Sequence, residues 1–81
     1  RGDKTRSKRT HVSALVPGRV HSILVREGSV APAHETILMI ESLGILVPHA
    51  LPEEVRILRW KVAAEDRVKA GQELADFQSP V

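Results

Sequence analysis

The sequence lacks cysteine and long apolar runs. The absence of cysteine excludes disulfide bonds, thiolate zinc sites and a cysteine nucleophile. The apolar runs are a few residues long, whereas a helix that crosses a bilayer needs roughly 20 residues. The 81 residues hold at most one small domain. We therefore expect a soluble domain and favour an intracellular location; because the chain starts at Arg1 rather than methionine, we also expect a piece of a longer protein.

Recognisable catalytic patterns are missing as well. There is no glycine-rich phosphate loop, and the adjacent acids Glu53 and Glu54 would point to opposite faces of a strand rather than share a site. The histidines show no metal-ligand spacing and the serines have no nucleophile context. These residues are His11, His21, His34 and His49 and, outside residues 1–10, Ser13, Ser22, Ser29, Ser42 and Ser79. The sequence thus predicts neither an enzyme nor a metal site.

Charge is distributed unevenly along the chain. Residues 1–10 contain five basic residues and one acid, which gives +4, and the remainder contains seven basic and nine acidic residues, which gives −2. Because residues 1–10 show no apolar period, we predict a flexible basic arm there and a globular domain over residues 11–81. The mildly acidic body argues against a nucleic-acid-binding domain. A solvated linker is the preferred interpretation of the arm.

The body of the chain alternates β-branched or aliphatic residues with polar ones, and turn residues separate the runs. GRVHSILVREGSV predicts a strand that ends at a Glu27-Gly28 turn, and ETILMIES predicts a second strand. Glycine and proline recur too often for helices of ordinary length. The pattern predicts an all-β domain of short strands.

The two halves of the body match each other. ILVREGSVAPAHETILMI, residues 23–40, aligns with WKVAAEDRVKAGQELADF, residues 60–77, at a spacing of 37 residues. Half of so short a chain cannot bury its own apolar face, so the repeat predicts two half-sheets that cover each other, joined by a hairpin at residues 42–46. The predicted core is Val20, Ile23, Val25, Ile37, Met39, Val55, Ile57, Trp60, Val62, Val68, Leu74 and Phe77.

These residues resemble a known family, the biotinyl/lipoyl attachment domains of biotin carboxyl carrier proteins and 2-oxoacid dehydrogenase acyltransferases. SALVPGRVHSILVREGSVAPAHETILMIES is similar to the first half of the family pattern and DRVKAGQELADFQ to the end of the second, so the resemblance covers about residues 12–78. It implies a flattened barrel-sandwich of two quasi-repeated four-stranded antiparallel half-sheets. In that family a lysine at the tip of the central hairpin carries biotin or lipoate as a swinging arm.

The attachment hairpin lacks the acceptor lysine. Against the family pattern E-A-M-K-M, this chain has Glu41, Ser42, Leu43, Gly44 and Ile45, so glycine stands where the resemblance places the lysine. The attachment is an amide bond to the lysine nitrogen, and glycine has no such nitrogen. Glycine also suits a tight hairpin, because it tolerates positive φ. The resemblance therefore implies a degenerate hairpin with no attached cofactor.

Other positions also depart from the family. Lys61 and Lys69 lie in a strand and a turn rather than at a hairpin tip, and we interpret them as solvated lysines. His34 and Glu65 replace glycines of the family's turns, and we expect them to adopt left-handed conformations at modest cost. Together with Gly44, these departures indicate a diverged copy rather than a working carrier changed at one residue.

The leading hypothesis is a non-catalytic, biotin-carrier-like domain that acts as a regulatory or structural protein-interaction module. Its predicted partners are subunits of a biotin-dependent carboxylase of the acetyl-CoA carboxylase type, or of a 2-oxoacid dehydrogenase. One alternative is a barrel-sandwich module of a membrane-fusion or efflux adaptor, although those proteins usually insert a helical hairpin where residues 43–44 lie here. Another is a genuine biotin or lipoyl carrier whose lysine was substituted.

Overall fold

The computed structural model describes residues 9–79 of the chain and contains eight β-strands. The strands are β1 Arg9–Ser13, β2 Gly18–Ile23, β3 Val30–Ala31, β4 Leu38–Ser42, β5 Ile45–His49, β6 Val55–Trp60, β7 Arg67–Val68 and β8 Glu73–Gln78. Residues 9–79 form no helix, so no helix in this range is long and apolar enough to cross a membrane. Residues 1–8 of the predicted basic arm lie outside the described residues, whereas Arg9 and Thr10 already belong to β1.

The strands form two four-stranded antiparallel sheets. Sheet A has the order β1-β8-β6-β3 and sheet B has the order β5-β4-β2-β7. The starts of β6 and β7 follow those of β2 and β3 by the 37 residues of the sequence repeat, and the two strand orders are equivalent under that repeat. The predicted barrel-sandwich of two quasi-repeated half-sheets is confirmed.

Hydrogen bonds outside the strands repeat in the same way. The amide of Leu24 donates to the carbonyl of Ile37 at 2.8 Å, and 37 residues later the amide of Lys61 donates to the carbonyl of Leu74 at 2.8 Å. Such paired bonds satisfy equivalent backbone groups in both halves. The sequence repeat therefore corresponds to a structural repeat at the level of individual amides.

The turns that lack the family's glycines still adopt a left-handed backbone. His34 has a φ of 68° and Glu65 a φ of 79°. Their counterparts in the other half, Gly71 and Gly28, have φ values of 84° and 85°. The expectation of left-handed histidine and glutamate is confirmed.

The core lies between the two sheets. Most predicted core residues are buried, namely Val20, Ile37, Val55, Ile57, Val62, Val68 and Leu74, and four more pack against them in partly buried positions, namely Ile23, Val25, Trp60 and Phe77. The prediction was wrong at Met39, which is half-buried on the other face of β4, while Leu38 and Ile40 are fully buried. Alternation along a strand allows one face only to reach the core. The indole N–H of Trp60 donates to the Val25 carbonyl at 2.8 Å.

His49, at the end of β5, is a polar side chain buried in this core, with 2% exposure. Its Nε2 accepts a hydrogen bond from the Leu15 amide at 2.9 Å, and its Nδ1 lies 3.1 Å from the Val47 carbonyl. A carbonyl only accepts hydrogen bonds, so these partners require a neutral ring with its proton on Nδ1. Burial lowers the pKa of His49, and the hydrogen bond to Val47 opposes this effect.

Candidate functional site

The hairpin that the resemblance identifies as a degenerate attachment site joins β4 to β5. Both strands belong to sheet B, so the prediction that this hairpin joins the two half-sheets was wrong. Ser42 pairs with Ile45, and the two turn residues Leu43 and Gly44 have φ values of 54° and 81°. Positive φ at both central residues is the signature of a type I′ turn, whose twist matches that of the flanking strands. Gly44 meets this requirement without strain, whereas Leu43 adopts a conformation that costs on the order of 1 kcal/mol for a residue with a Cβ.

The tip of the hairpin presents apolar side chains to solvent. Leu43 is 100% exposed, Ile45 is 66% exposed and Leu46 is 43% exposed. We call these three residues the tip patch. Ile45 and Leu46 are consecutive residues of β5, so their side chains point to opposite faces of the sheet. Each apolar side chain left in water forgoes the favourable free energy of burial, and this loss is complete at Leu43.

An ion-pair cluster holds the base of the hairpin. Arg19 of β2 donates from Nη2 to Glu41 of β4 and from Nη1 to Glu65, which lies in the turn before β7. The hydrogen bonds to Glu41 and Glu65 raise the pKa of Arg19. Arg19 thus links the hairpin to a turn of the second half, and the Glu41 carboxylate is engaged in this cluster.

Gly18 brings β2 close to the hairpin. A Cβ at Gly18 would collide with the carbonyl oxygen of Glu41, which is backbone and cannot move aside as a flexible side chain does. The Pro17-Gly18 pair is part of the sequence that resembles the carrier family, and its glycine is needed for this approach. The close contact between β2 and β4 therefore positions the hairpin base.

The two lysines of residues 11–81, Lys61 and Lys69, both lie away from the tip of the hairpin. Lys61 lies next to β8, where its Nζ is 2.6 Å from Glu73 and 3.3 Å from Asp76. The hydrogen bond that Lys61 donates to Glu73 raises the pKa of Lys61, which keeps the amine protonated and poorly nucleophilic. Lys69 lies in the turn between β7 and β8, where Gln72 accepts a hydrogen bond from its backbone amide at 2.9 Å.

The fold brings His11 together with two acids, a cluster that the sequence did not reveal. His11 Nδ1 is 2.8 Å from Asp76 and His11 Nε2 is 3.5 Å from Glu73. The three side chains place ligand atoms within 4.8 Å of one another, but Lys61 already pairs with both carboxylates. The cluster therefore acts as an ion-pair network that fastens β1 to β8. His11 and Asp76 are 65 residues apart in the sequence, so no local sequence pattern predicts that they pair.

The comparisons with known proteins show a shared fold. No family model matches the chain, and no curated protein matches it. Among solved structures, the chain is similar to a single-chain, multi-domain long-chain acyl-CoA carboxylase, with a TM-score of 0.83 and 24% sequence identity. The match covers 88% of this chain and 7% of the carboxylase chain, so this chain spans a small part of that protein's length. The barrel-sandwich described above therefore also occurs as one small part of a multi-domain carboxylase.

Proposed function

We propose that this chain is a biotin-carrier-like domain that carries no biotin and serves as a protein-interaction module in a carboxylase-type assembly. The fold shared with part of a carboxylase supports this proposal, as does the retained hairpin with Gly44 at the acceptor position. A domain with no amine at the tip forms no amide with a cofactor. Its role is therefore non-catalytic, either regulatory or structural.

The conformation of Leu43 is the observation that carries the proposal. Asn-Gly is the preferred residue pair for a type I′ turn, yet this hairpin has leucine in the left-handed position with its side chain wholly in solvent. Leucine there is unfavourable for the backbone and for hydration alike. A contact with another protein that buries Leu43 is a physical reason for such a residue, since unfavourable local geometry concentrates at binding sites.

The position of the tip patch explains what such a module would do. A carrier presents its hairpin to the active sites of its partners, with the cofactor at the tip. A domain of the same shape with an apolar tip and no lysine would occupy a carrier's docking place and deliver no cofactor. This behaviour suits a regulatory subunit that competes with a carrier, or a spacer that completes an assembly.

The labelling test uses biotin protein ligase with the chain and with Gly44→Lys. We expect intact-mass spectrometry to show no added mass on the unaltered chain. Gly44→Lys restores the acceptor at the cost of a left-handed lysine, about 1 kcal/mol, and we expect it to gain one biotin. Biotin on the unaltered chain would contradict the proposal and favour a carrier that uses another lysine; Lys61→Arg and Lys69→Arg would then locate the acceptor.

The interaction test compares the full-length protein with its Leu43→Asn variant in affinity capture from the native cell. The variant creates the preferred Asn-Gly turn, so the fold should gain about 0.5–1 kcal/mol while the tip patch loses its most exposed member. We expect carboxylase or 2-oxoacid dehydrogenase subunits with the unaltered protein and their loss with Leu43→Asn. Leu24→Asn is the matched control, because Leu24 is an exposed leucine away from the hairpin. Capture of envelope transport components instead would favour the efflux-adaptor alternative.

A further inference from the structure

An open groove of about 510 Å³ lies beside the hairpin. It is lined by residues 17–19, by residues 41–44 of β4 and the hairpin, and by Arg67 and Val68 of β7. The Glu41 carboxylate of this lining is paired with Arg19. The close approach at Gly18 forms one side of the groove, and the exposed Leu43 forms part of its rim. The groove is thus a built feature of the hairpin base.

The two arginines of the groove differ in charge compensation. Arg19 is hydrogen-bonded to Glu41 and Glu65. Arg67 lies directly opposite Arg19 in the antiparallel pairing of β2 with β7, and no carboxylate of residues 9–79 lies within ion-pair distance of it. Arg67 is therefore an exposed cation with no carboxylate partner among residues 9–79.

The first half of the repeat shows that the fold does not need arginine at position 67. There the equivalent cross-strand pair is Arg56 with Val30, which lies 37 residues before Arg67. Valine in that short strand supports the same pairing without facing a like charge. Strand pairing therefore does not require arginine at position 67, and the guanidinium there is available to an anion that binds beside the hairpin.

We propose that this groove binds an acidic segment of a partner protein, in which a carboxylate pairs with Arg67 and a neighbouring apolar side chain packs on Leu43. A guanidinium matches a carboxylate with two parallel hydrogen bonds, and a fully exposed leucine next to it offers the apolar contact. Nucleic acid fits less well, because phosphate binding relies on several cations and the second arginine of the groove is already paired. This inference rests on the proposed role of the hairpin as a docking surface and specifies its partner's chemistry.

The experiment is a titration of the ¹⁵N-labelled chain with a short peptide in which glutamate alternates with leucine, followed by NMR. We expect amide shifts at residues 42–44 and at Arg67, and affinity that weakens as salt is added. Arg67→Val copies the first half of the repeat and should weaken binding about threefold to tenfold, as expected for an exposed charge-assisted contact. Arg59→Val removes the same charge from β6 of the other sheet and should leave the affinity unchanged.

Three results would overturn the inference. They are no shift with the glutamate peptide, equal binding of a matched peptide with lysine in place of glutamate, and equal weakening by Arg67→Val and Arg59→Val. If any of them occurs while affinity capture still depends on Leu43, the proposed function stands and the acidic partner does not. If the peptide binds as expected but biotin is found on the unaltered chain, the groove stands and the proposed function does not.

Discussion

The two halves of the repeat place glycine at opposite turns. The first half has Gly28 with a φ of 85° and His34 with a φ of 68°, whereas the second has Glu65 with a φ of 79° and Gly71 with a φ of 84°. The backbone is left-handed at all four positions, although each half has glycine at one of its two turns. The left-handed turn is therefore a requirement of the fold, and glycine is its least strained residue rather than its only one.

The core positions of the two halves are more alike than the turns. Ile37 and its counterpart Leu74 are 1% and 0% exposed, and Val20 and its counterpart Ile57 are both 0% exposed. Each pair is aliphatic and of similar size, because close packing penalises both cavities and excess volume. The comparison teaches that the two halves share strict packing at the core and tolerate different chemistry at the turns.

The largest expected effects on the free energy of unfolding come from core substitutions at equivalent positions of the two halves. Ile37→Ala and Leu74→Ala should each lower the free energy of unfolding by about 2–5 kcal/mol, because each leaves a cavity in the same layer of its own half. Chemical denaturation followed by Trp60 fluorescence measures both losses, with the exposed Leu24→Ala as the control. A large loss for one substitution and a negligible loss for the other would contradict the equivalence of the halves.

A second prediction concerns the polar residue in the core of sheet B. His49 pairs with Leu38 in sheet B, and the corresponding pair in sheet A is Val12 with Ala75. His49→Val makes the sheets alike but leaves the Leu15 amide without its partner, so it should cost about 1–3 kcal/mol at neutral pH. Denaturation of both proteins at neutral pH measures the change. A gain in stability would show that the Leu15 amide finds another partner.

The same residue makes stability depend on pH. Burial lowers the pKa of His49 below its ordinary value of 6.5. Just below that pH, the His49 imidazole therefore binds a proton in the unfolded chain but stays neutral in the folded one. The free energy of unfolding therefore rises with pH in this window. The contribution is fully present above 6.5 and is lost as the pH falls towards the lowered pKa. Denaturation at a series of pH values should show this loss in the unaltered chain and a smaller one in His49→Val.

The acids of sheet A act in a separate, lower pH window. The hydrogen bond from Lys61 lowers the pKa of Glu73, and that from His11 lowers the pKa of Asp76. Because these pKa values are depressed, their contribution is present above the ordinary values of 4.5 and 3.8 and is lost as the pH falls through the lowered ones. If His49→Val loses as much free energy of unfolding as the unaltered chain between neutral pH and about pH 5, the pH dependence in that range does not come from His49.

Substitutions in the left-handed turns should have smaller effects on the free energy of unfolding. His34→Gly should raise the free energy of unfolding by up to about 1 kcal/mol, because it removes left-handed strain, although the greater freedom of glycine in the unfolded chain offsets part of the gain. The reciprocal Gly71→His should lower it by about 1 kcal/mol. Thermal and chemical denaturation of the two variants test this exchange. A loss with His34→Gly would mean that the imidazole makes a stabilising contact.

The smallest expected effect is at Arg67. Arg67→Val gives the second half the residue that the first half has at Val30, and it removes a like charge opposite Arg19. The free energy of unfolding should change by less than about 0.5 kcal/mol, as is usual for surface substitutions. Denaturation of the variant checks this expectation, and a large loss would mean that Arg67 has a structural role.

Much of the fold and of the candidate site was predictable from local patterns. Alternation and turn residues predicted an all-β chain, the repeat predicted two matching halves, and the resemblance located the hairpin at Glu41–Ile45. Met39 was assigned to the core wrongly, because LMI is an uninterrupted apolar run in which alternation does not indicate the buried face. Leu43 was recognised as an apolar flank, but its strain and full exposure required the backbone geometry.

The amino-acid sequence by itself determined the strand periodicity, the repeat at 37 residues and the absence of a lysine from residues 41–45, because these properties are local or depend on residue identity alone. Tertiary structure decided which distant groups meet: Arg19 with Glu41 and Glu65, and Arg67 opposite Arg19. Such neighbours depend on strand order and register, which arise when the two half-sheets close over a common core.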